Sequence, residues 1–268
     1  MTRSVTLADG RATVCERTGS TGPPVLALHG MTSSAATWRP FARRLEHTLS
    51  VHAFDQRGHG AAADHPGPYA LEDSAADAMA VARACGLERP IVMGHSWGGA
   101  TALTYGERAS GSLAPRALIL IDPALTSIDP QFVRGVVEDL RASQPFDAKE
   151  VRRRLRALQP LWSDEDVDLK VEVHRSLRPD TVAAIFEAIS RQGRLDLTPT
   201  IARLEMPTLL CLADVPSGSI VPAWARERLA GLGHVEVTEF SGAGHSIQRT
   251  QPRELAAIVT AFVERHGA

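Results

Sequence analysis

The feature that most constrains the fold of this chain is a sharp turn between a short apolar run and an Ala-rich segment, within residues 91–105. At its centre the sequence reads Gly-His-Ser-Trp-Gly over residues 94–98, a pattern typical of a nucleophile elbow between a strand and a helix. Such a turn leaves no space for a Cβ atom two positions before and two positions after the serine, and both positions are glycine. We therefore predict that Ser96 stands exposed between the end of a strand and the start of a helix.

The same turn predicts where negative charge would be stabilised. A helix that begins after Ser96 directs its free N–H groups and the positive end of its dipole at the turn. One half of an oxyanion hole is therefore expected from the backbone N–H of Trp97, the residue after the serine. The other half is expected from the loop His29-Gly30-Met31, which directly follows an earlier apolar run. Gly30 would let the chain turn tightly enough there to expose the N–H of Met31.

Segments typical of strands and helices alternate along most of the chain, which predicts an α/β fold. Continuous apolar runs, as in strands covered on both faces, lie at residues 25–28, 51–54, 91–93, 117–121 and 208–212, and a last strand is expected at 235–240. Helical patterns lie at residues 37–46, 70–84, 97–109 and 252–265. Residues 4–7 and 11–17 alternate around Asp9-Gly10, which indicates an antiparallel hairpin. We expect a mostly parallel sheet of eight strands, flanked by helices.

Residues 124–200 interrupt this alternation, because amphipathic helical segments follow one another there without a convincing strand. These segments lie at residues 129–142, 147–158, 164–174 and 179–191. Their insertion after the apolar run 117–121 places them near the carboxyl ends of the strands, where open α/β sheets bind ligands. We therefore predict a core domain of residues 1–123 and 201–268, with a helical cap inserted at residues 124–200.

Composition and motifs exclude several other classes of protein. A chain of 268 residues with 44% hydrophobic content can bury a sizeable core, and its formal net charge of −2 favours neither nucleic acid nor membrane partners. Cys15, Cys85 and Cys211 have no metal-like spacing, and no P-loop, dinucleotide fingerprint or zinc-helix motif is present. We expect no cofactor, no metal and a small-molecule substrate. The N-terminus has no apolar signal core, so a cytoplasmic protein is expected, and its oligomeric state is left open.

A serine hydroxyl needs a base to remove its proton, and that base must be oriented by an acid. Among the ten histidines, His245 lies in a Gly-rich loop, residues 241–246, directly after the last expected strand. A base in this place matches the chain order of serine, acid and histidine. His245 is therefore the predicted base for Ser96.

Four segments together resemble the α/β-hydrolase superfamily over essentially the full length of the chain. They are His29-Gly30, the stretch Asp-Gln-Arg-Gly-His-Gly at residues 55–60, the elbow at Ser96 and the pair Gly244-His245. The resemblance implies a serine hydrolase of the α/β-hydrolase fold with a helical cap. In similar enzymes the segment equivalent to residues 55–60 shapes a loop beside the site, so we assign it a structural role. A serine nucleophile argues against dehalogenase and epoxide hydrolase chemistry, since similar enzymes of those kinds carry aspartate there.

The resemblance leaves two candidates for the acid. In many relatives the acid follows the strand equivalent to residues 208–212, but the expected position here holds Pro216 or Gly218. Asp214 precedes that position on the loop and could instead brace the turn. Asp122 ends the strand before the predicted cap, from which some similar enzymes supply the acid. We prefer Asp122 slightly, because it requires no shift of register, and we keep Asp214 as the alternative.

These residues lead us to expect hydrolysis of a small carboxylic ester, lactone or related acyl substrate through an acyl-enzyme on Ser96. Aromatic residues indicate an apolar acyl or aromatic pocket, and His29, Trp38 and Trp162 are its expected walls. The same triad is compatible with carbon–carbon bond hydrolysis and with perhydrolase or acyltransferase chemistry. A non-catalytic protein that binds a small ligand on this fold is an alternative of another class, because fold does not determine function.

Overall fold

The computed structural model describes residues 1–191 and 195–266, so residues 192–194 of the predicted cap and the last two residues lie outside the description. The strands within the described residues are β1 Thr2–Thr6, β2 Ala12–Thr18, β3 Pro24–Leu28, β4 Ser50–Phe54, β5 Ile91–His95, β6 Ala117–Ile121, β7 Thr208–Ala213 and β8 Val235–Phe240. They form one sheet in the order β1-β2-β4-β3-β5-β6-β7-β8. Strand β2 is antiparallel to β1 and β4, and the other neighbouring strands are parallel. The predicted fold class is confirmed.

The described α-helices flank this sheet or lie between β6 and β7. They are α1 Arg39–Ala42, α2 Leu71–Ala84, α3 Trp97–Arg108, α4 Pro130–Ser143, α5 Ala148–Leu158, α6 Asp164–Ser176, α7 Pro179–Arg191, α8 Thr198–Arg203, α9 Ala223–Ala230, α10 Ile247–Thr250 and α11 Pro252–His266. Within the part of the chain that the structure describes, no helix combines the length and apolarity needed to cross a bilayer.

The helix predicted over residues 37–46 is wrong in extent. A 3-10 turn, Ala35–Trp38, leads into the four-residue helix α1, and the chain then tightens into further turns. The N–H of Leu45 donates to the Ala42 carbonyl oxygen at 3.0 Å, a spacing of three residues rather than four. The apolar periodicity of this segment therefore buries Phe41 and Leu45 without a continuous α-helix.

The central strands are apolar throughout because both faces of the sheet are covered. On one face Val92 of β5 packs in a cluster with Val81 of α2 and Leu103 of α3. On the other face Met93 packs in a cluster with residues of α1 and α11, including Phe262. Strands buried in this way carry no alternation of polar and apolar residues, which is why they were recognisable as continuous apolar runs.

The turn at the end of β5 depends on the absence of side chains at two glycines. A Cβ atom on Gly94 would lie 2.1 Å from the Gly98 carbonyl oxygen, and one on Gly98 would lie 2.2 Å from the Leu28 carbonyl oxygen. Ser96 between them has φ 55° and ψ −121°, outside the ordinary regions for an L-residue. Its N–H donates to the Ile121 carbonyl oxygen at 3.1 Å, which ties the turn to the end of β6.

Helices α4 to α8 fill the segment between β6 and β7, where we predicted a cap. Within the described residues of this segment, the β-structure is a single isolated bridge between Thr126 and Asp196. Apolar residues of α4 and α7, such as Val137 and Phe186, form one cluster with Met31 and Trp97 of the predicted site. The helices therefore cover the loops at the carboxyl ends of the strands. The division into a core and a cap at residues 124–200 stays a prediction.

A buried ion pair holds the segment 55–60 in place. Nε of Arg57 lies 2.7 Å from Oδ2 of Asp77 on α2, and the two side chains are 4% and 0% exposed. The other oxygen of Asp77 accepts the Ala8 N–H at 3.1 Å. The carboxylate of Asp55 accepts the N–H groups of Ala35 and Ala61 at 2.8 and 2.9 Å. These contacts support the structural role that we assigned to the segment.

The glycines of the turn generate a prediction about stability. Substitution Gly98→Ala forces a Cβ atom against backbone, and we expect it to lower the free energy of unfolding by about 1–3 kcal/mol or more. Gly135 within α4 has no atom within 4 Å of the corresponding Cβ position. Gly135→Ala, the matched control, should raise the free energy of unfolding by about 0.5–1 kcal/mol. Urea unfolding of both variants checks this, and equal stabilities would contradict the steric account.

The buried ion pair generates a second prediction. Asp77→Asn leaves the Arg57 charge buried without its carboxylate, and the free energy of unfolding should fall by about 3–5 kcal/mol. The exposed pair Arg141–Asp180, joined at 2.7 Å, supplies the control. Asp180→Asn should change the free energy of unfolding by less than about 1 kcal/mol. Thermal and urea unfolding distinguish the two, and a small loss for Asp77→Asn would contradict the bracing role.

Candidate active site

Ser96 is half-buried and opens into a cavity of about 850 Å³ between the carboxyl ends of the strands and the helices above them. Its backbone carbonyl oxygen accepts the N–H of Ala124 at 2.9 Å, just after β6. The cavity walls also include Met31, Trp97, Phe186 and His245. The structure therefore brings the predicted nucleophile, the predicted base and both predicted oxyanion-hole residues to one cavity.

His245 contacts one of the two candidate acids. Its Nδ1 lies 2.7 Å from Oδ2 of Asp122, so the ring presents Nε2 on its other side. The His245 side chain is 32% exposed, whereas Asp122 is fully buried. Within the described residues, no hydrogen bond joins the Ser96 hydroxyl to the His245 ring. Such bonds are often long in unliganded sites and tighten when substrate is bound.

Asp122 is held as a carboxylate by a complete set of donors. Besides His245, it accepts the N–H groups of Ala213 and Ile220, each at 3.1 Å, and the Ser219 hydroxyl at 2.5 Å. Burial alone would raise the pKa of Asp122, but the hydrogen bond and charge of His245, with the Ser219 and Ile220 bonds, hold it below its usual value. An ionised acid beside Nδ1 is the arrangement that orients a catalytic histidine.

Asp214, the alternative acid, braces its own loop. Its Oδ2 accepts the Ser217 hydroxyl at 3.0 Å and the Gly242 N–H at 3.3 Å. Its backbone carbonyl oxygen also accepts the N–H groups of Ser217 and Ser219. These contacts are those of a residue that closes a turn, and its side chain makes no contact with His245 among the described hydrogen bonds.

The two N–H groups expected to form the oxyanion hole lie on neighbouring loops. A Cβ atom on Gly30 would lie 3.2 Å from the Ser96 Cβ, so the loop that carries Met31 packs directly against the elbow. Trp97 is the first residue of α3, where backbone N–H groups lack acceptors within the helix. The ring of His59 donates to the Met31 carbonyl oxygen and stacks on Trp97 with ring centres 5.6 Å apart.

His95 contacts the loop of the predicted base, a contact that the sequence did not indicate. Its Nε2 donates to the His245 carbonyl oxygen at 2.9 Å, and the two rings lie 4.6 Å apart. Burial, and then the neighbouring His245, hold the pKa of His95 well below its usual value. The contact of His95 with the His245 backbone ties the elbow to the loop of the predicted base. The position of His95 in the elbow, between Gly94 and Ser96, gave no indication of this contact.

Of the three expected pocket walls, Trp162 lines the cavity and the other two do not. The His29 side chain is turned beneath its loop, where Nε2 accepts the Gln56 N–H at 3.1 Å. Trp38 is packed in the core beside Phe41, with ring centres 6.2 Å apart. The His29 ring therefore lies beneath the loop whose next residues, Gly30 and Met31, line the cavity, and Trp38 belongs to the core.

Two basic side chains that sequence reasoning missed also line the cavity, Lys170 of α6 and Arg249 of α10. Lys170 lies in a strongly charged helix, where a lysine on a solvated face gives the same pattern. Arg249 lies four residues after His245 and carries no motif of its own. Only the contacts of α6 and α10 with the loop at Thr32 and Ser33 reveal that both cations face the site.

A separate cluster joins two of the three cysteines, which their spacing in the sequence did not indicate. The thiols of Cys15 and Cys85 and a ring nitrogen of His52 all lie within 4.8 Å of one another. Cys15 and Cys85 are free thiols in the structure. The group lies at β2, β4 and the end of α2, outside the cavity of Ser96.

Comparison with known proteins places this geometry in a family. A profile described as "Alpha/beta hydrolase family" matches residues 25–258. The N-formylmaleamate deformylase of Pseudomonas putida is 29% identical over 237 residues, covering 86% of this chain and 85% of that protein. The 2-(acetamidomethylene)succinate hydrolase of Mesorhizobium japonicum is 27% identical over 267 residues, covering 95% and 93%.

Solved structures share the fold. The N-formylmaleamic acid deformylase from Pseudomonas putida S16 matches with a TM-score of 0.79 over 97% of this chain and all of that chain, at 23% identity. The resemblance of the motifs to the α/β-hydrolase superfamily is thereby confirmed. Because the family profile spans most of its length, the chain belongs to the alpha/beta hydrolase family and is an α/β-hydrolase enzyme.

Proposed function

We propose that this enzyme hydrolyses a small carboxylic ester, lactone or related acyl compound through an acyl-enzyme on Ser96. The observation that carries the proposal is the 2.7 Å contact between Nδ1 of His245 and the buried carboxylate of Asp122, beside the elbow of Ser96. Ser96, Asp122 and His245 follow three different strands, and packing of the fold alone does not require their side chains to meet. Their convergence on one cavity supports a catalytic triad.

In the proposed reaction, Nε2 of His245 takes the proton of the Ser96 hydroxyl as the oxygen attacks the acyl carbon. The N–H groups of Met31 and Trp97 stabilise the negative charge that develops on the acyl oxygen. His245 then gives the proton to the leaving group, and the acyl-enzyme forms. Water deprotonated by His245 attacks the same carbon, and release of the acid restores Ser96. Asp122 holds the imidazole in the required tautomer throughout.

The names of the relatives favour transfer of an acyl group to water. One relative is a deformylase and the other is a hydrolase of an acetamido compound. The related acyl compounds in our proposal therefore include those in which the acyl group is attached to nitrogen. Carbon–carbon bond hydrolysis and perhydrolase or acyltransferase chemistry use the same residues, and product analysis separates them from hydrolysis. Because the chain belongs to an enzyme family, we do not retain the alternative of a non-catalytic ligand-binding protein.

The nucleophile is tested by Ser96→Ala. We expect this variant to lose ester hydrolysis by a factor of roughly 10⁶ and to lose labelling by a fluorophosphonate probe. Ser246 also lines the cavity and supplies a matched control, because its contacts to the loop are made by its backbone. Ser246→Ala should retain labelling, and its turnover should stay within a few-fold of the wild-type value, as for an ordinary surface substitution. Unchanged turnover in Ser96→Ala would contradict the mechanism.

The acid is tested by comparing Asp122→Asn with Asp214→Asn. Asparagine at position 122 keeps the shape but favours the wrong imidazole tautomer, so we expect kcat to fall by about 10⁴-fold while KM changes little. Asp214→Asn should change kcat by no more than about twofold, as for a turn residue away from the chemistry. Steady-state kinetics with one ester, alongside circular dichroism to verify folding, decide the assignment. Losses of similar size in both variants would refute it.

A further inference from the structure

The lining of the Ser96 cavity contains two basic side chains and the carboxylate of Asp129, which accepts the Gln131 N–H at 2.8 Å at the start of α4. The two basic side chains are Lys170 and Arg249, and the Arg249 side chain is only 4% exposed. The carboxylate beside Arg249 is Asp166, whose Oδ1 lies 4.0 Å from the Arg249 Nε, too far for a hydrogen bond. Burial raises the pKa of Asp166, although the Ser163 hydroxyl opposes this, so Asp166 is a weak counter-ion. Among the described ion pairs, Arg249 therefore has this one distant carboxylate, and Lys170 has none.

The guanidinium of Arg249 has donors to spare. Nη2 donates to the Ser33 hydroxyl at 3.2 Å, and Nε has no acceptor among the described residues. The Cζ atom of the group lies over the Trp162 ring, 4.4 Å from its centre. This cation–π contact helps to hold the guanidinium at the cavity wall. An unsatisfied buried guanidinium is costly unless a ligand completes its contacts.

Among the described hydrogen bonds, the partners of Lys170 are neutral. Its ammonium donates to the backbone oxygen of Thr32 and to the Thr32 hydroxyl, the latter at 3.0 Å. The Lys170 side chain is half-buried and lines the cavity. This burial, together with repulsion from Arg249, lowers the pKa of Lys170 to about 7. An anion between the two groups would remove the repulsion and favour the charged lysine.

The two cations are close to the reaction centre. Their hydrogen-bond partners Thr32 and Ser33 directly follow Met31, whose N–H we assign to the oxyanion hole. The positive charges of both groups also contribute to lowering the pKa of His95, the neighbour of Ser96. A small molecule bound at Ser96 can therefore extend to the cations within the same cavity.

We propose that Lys170 and Arg249 bind a carboxylate of the substrate, so that the enzyme acts on acyl compounds that carry a free carboxylate besides the bond to be cleaved. This inference rests on the proposed hydrolase function of Ser96. A carboxylate fits because a guanidinium fork and one ammonium match its two oxygens, whereas the apolar walls at Phe186 and Ile189 suit the carbon chain between the two ends.

Matched substrates test the wild-type enzyme. The monomethyl esters of succinic, glutaric and adipic acid are compared with methyl butanoate, pentanoate and hexanoate. These neutral esters have the same chain lengths but lack the free carboxylate. At the best length, we expect kcat/KM to be at least about tenfold higher for the half-ester, the effect of one charged hydrogen bond. A preference for the neutral ester at all three lengths would overturn the proposal.

Protection from labelling gives a readout that does not depend on turnover of methyl esters. Succinate, glutarate or adipate should slow fluorophosphonate labelling of Ser96 at a concentration at least about tenfold below that of the matching monocarboxylate. Equal protection by the two series would also overturn the proposal.

Neutral variants show whether the two cations cause the preference. Lys170→Met and Arg249→Met should each lower the ratio of kcat/KM for the best half-ester to kcat/KM for the neutral ester by about 10–100-fold, mainly through the KM of the half-ester. Lys149 and Arg253 are exposed, and Lys149→Met and Arg253→Met are the matched controls that should alter neither substrate. Equal losses on both substrates would show a merely structural role. Arg249→Lys keeps the charge and should restore part of the half-ester activity.

The outcome separates this inference from the proposed function. Ester hydrolysis that depends on Ser96 but shows no preference for the half-esters refutes the carboxylate site alone. Hydrolysis that persists in Ser96→Ala refutes the proposed mechanism, whichever ester is preferred.

Discussion

The approach of the α3 backbone to the end of β3 is the constraint on which the arrangement of the site depends. Gly98 lies so close to the Leu28 carbonyl oxygen that a Cβ atom would come within 2.2 Å, and a Cβ atom on Gly99 would come within 2.6 Å of the Pro123 side chain. The elbow is therefore packed between the strand ends of β3 and β6. This contact brings the Met31 loop to one side of Ser96 and Asp122 to the other, because both directly follow those strands.

Charge in the interior follows a consistent pattern with one exception. The buried pair of Arg57 and Asp77 is joined at 2.7 Å, and Asp122 has a full set of donors. Lys170 and Arg249 depart from this pattern, since both face the cavity with incomplete partners. Buried charges are costly without partners, and these two lie in the same cavity as Ser96. This is the reason for our proposal of an acidic ligand, and it does not depend on which residues are catalytic.

Much of the fold was predictable because the physical requirements are local. Strands covered on both faces must be apolar throughout, and the tight elbow requires glycine, so β3 to β7 and the turn at Ser96 were recognised from short stretches of sequence. The segment at residues 37–46 was not, since its apolar spacing is equally satisfied by 3-10 and irregular turns around Phe41. His29 and Trp38 were expected at the cavity and lie behind it, because the direction of a loop side chain depends on contacts remote in sequence.

Local patterns of glycines and apolar residues were sufficient to predict the family, the sheet and the candidate nucleophile, base and oxyanion loops. Only the tertiary structure distinguished Asp122 from Asp214. Whether His245 contacts Asp122 or Asp214 depends on how the loop after β8 packs across the ends of β6 and β7. Asp122 and Asp214 themselves stand more than ninety positions apart in the chain. Lys170 and Arg249 were missed for the same reason, because a charged residue on a helix gives no indication in the sequence that packing places it in the cavity of Ser96.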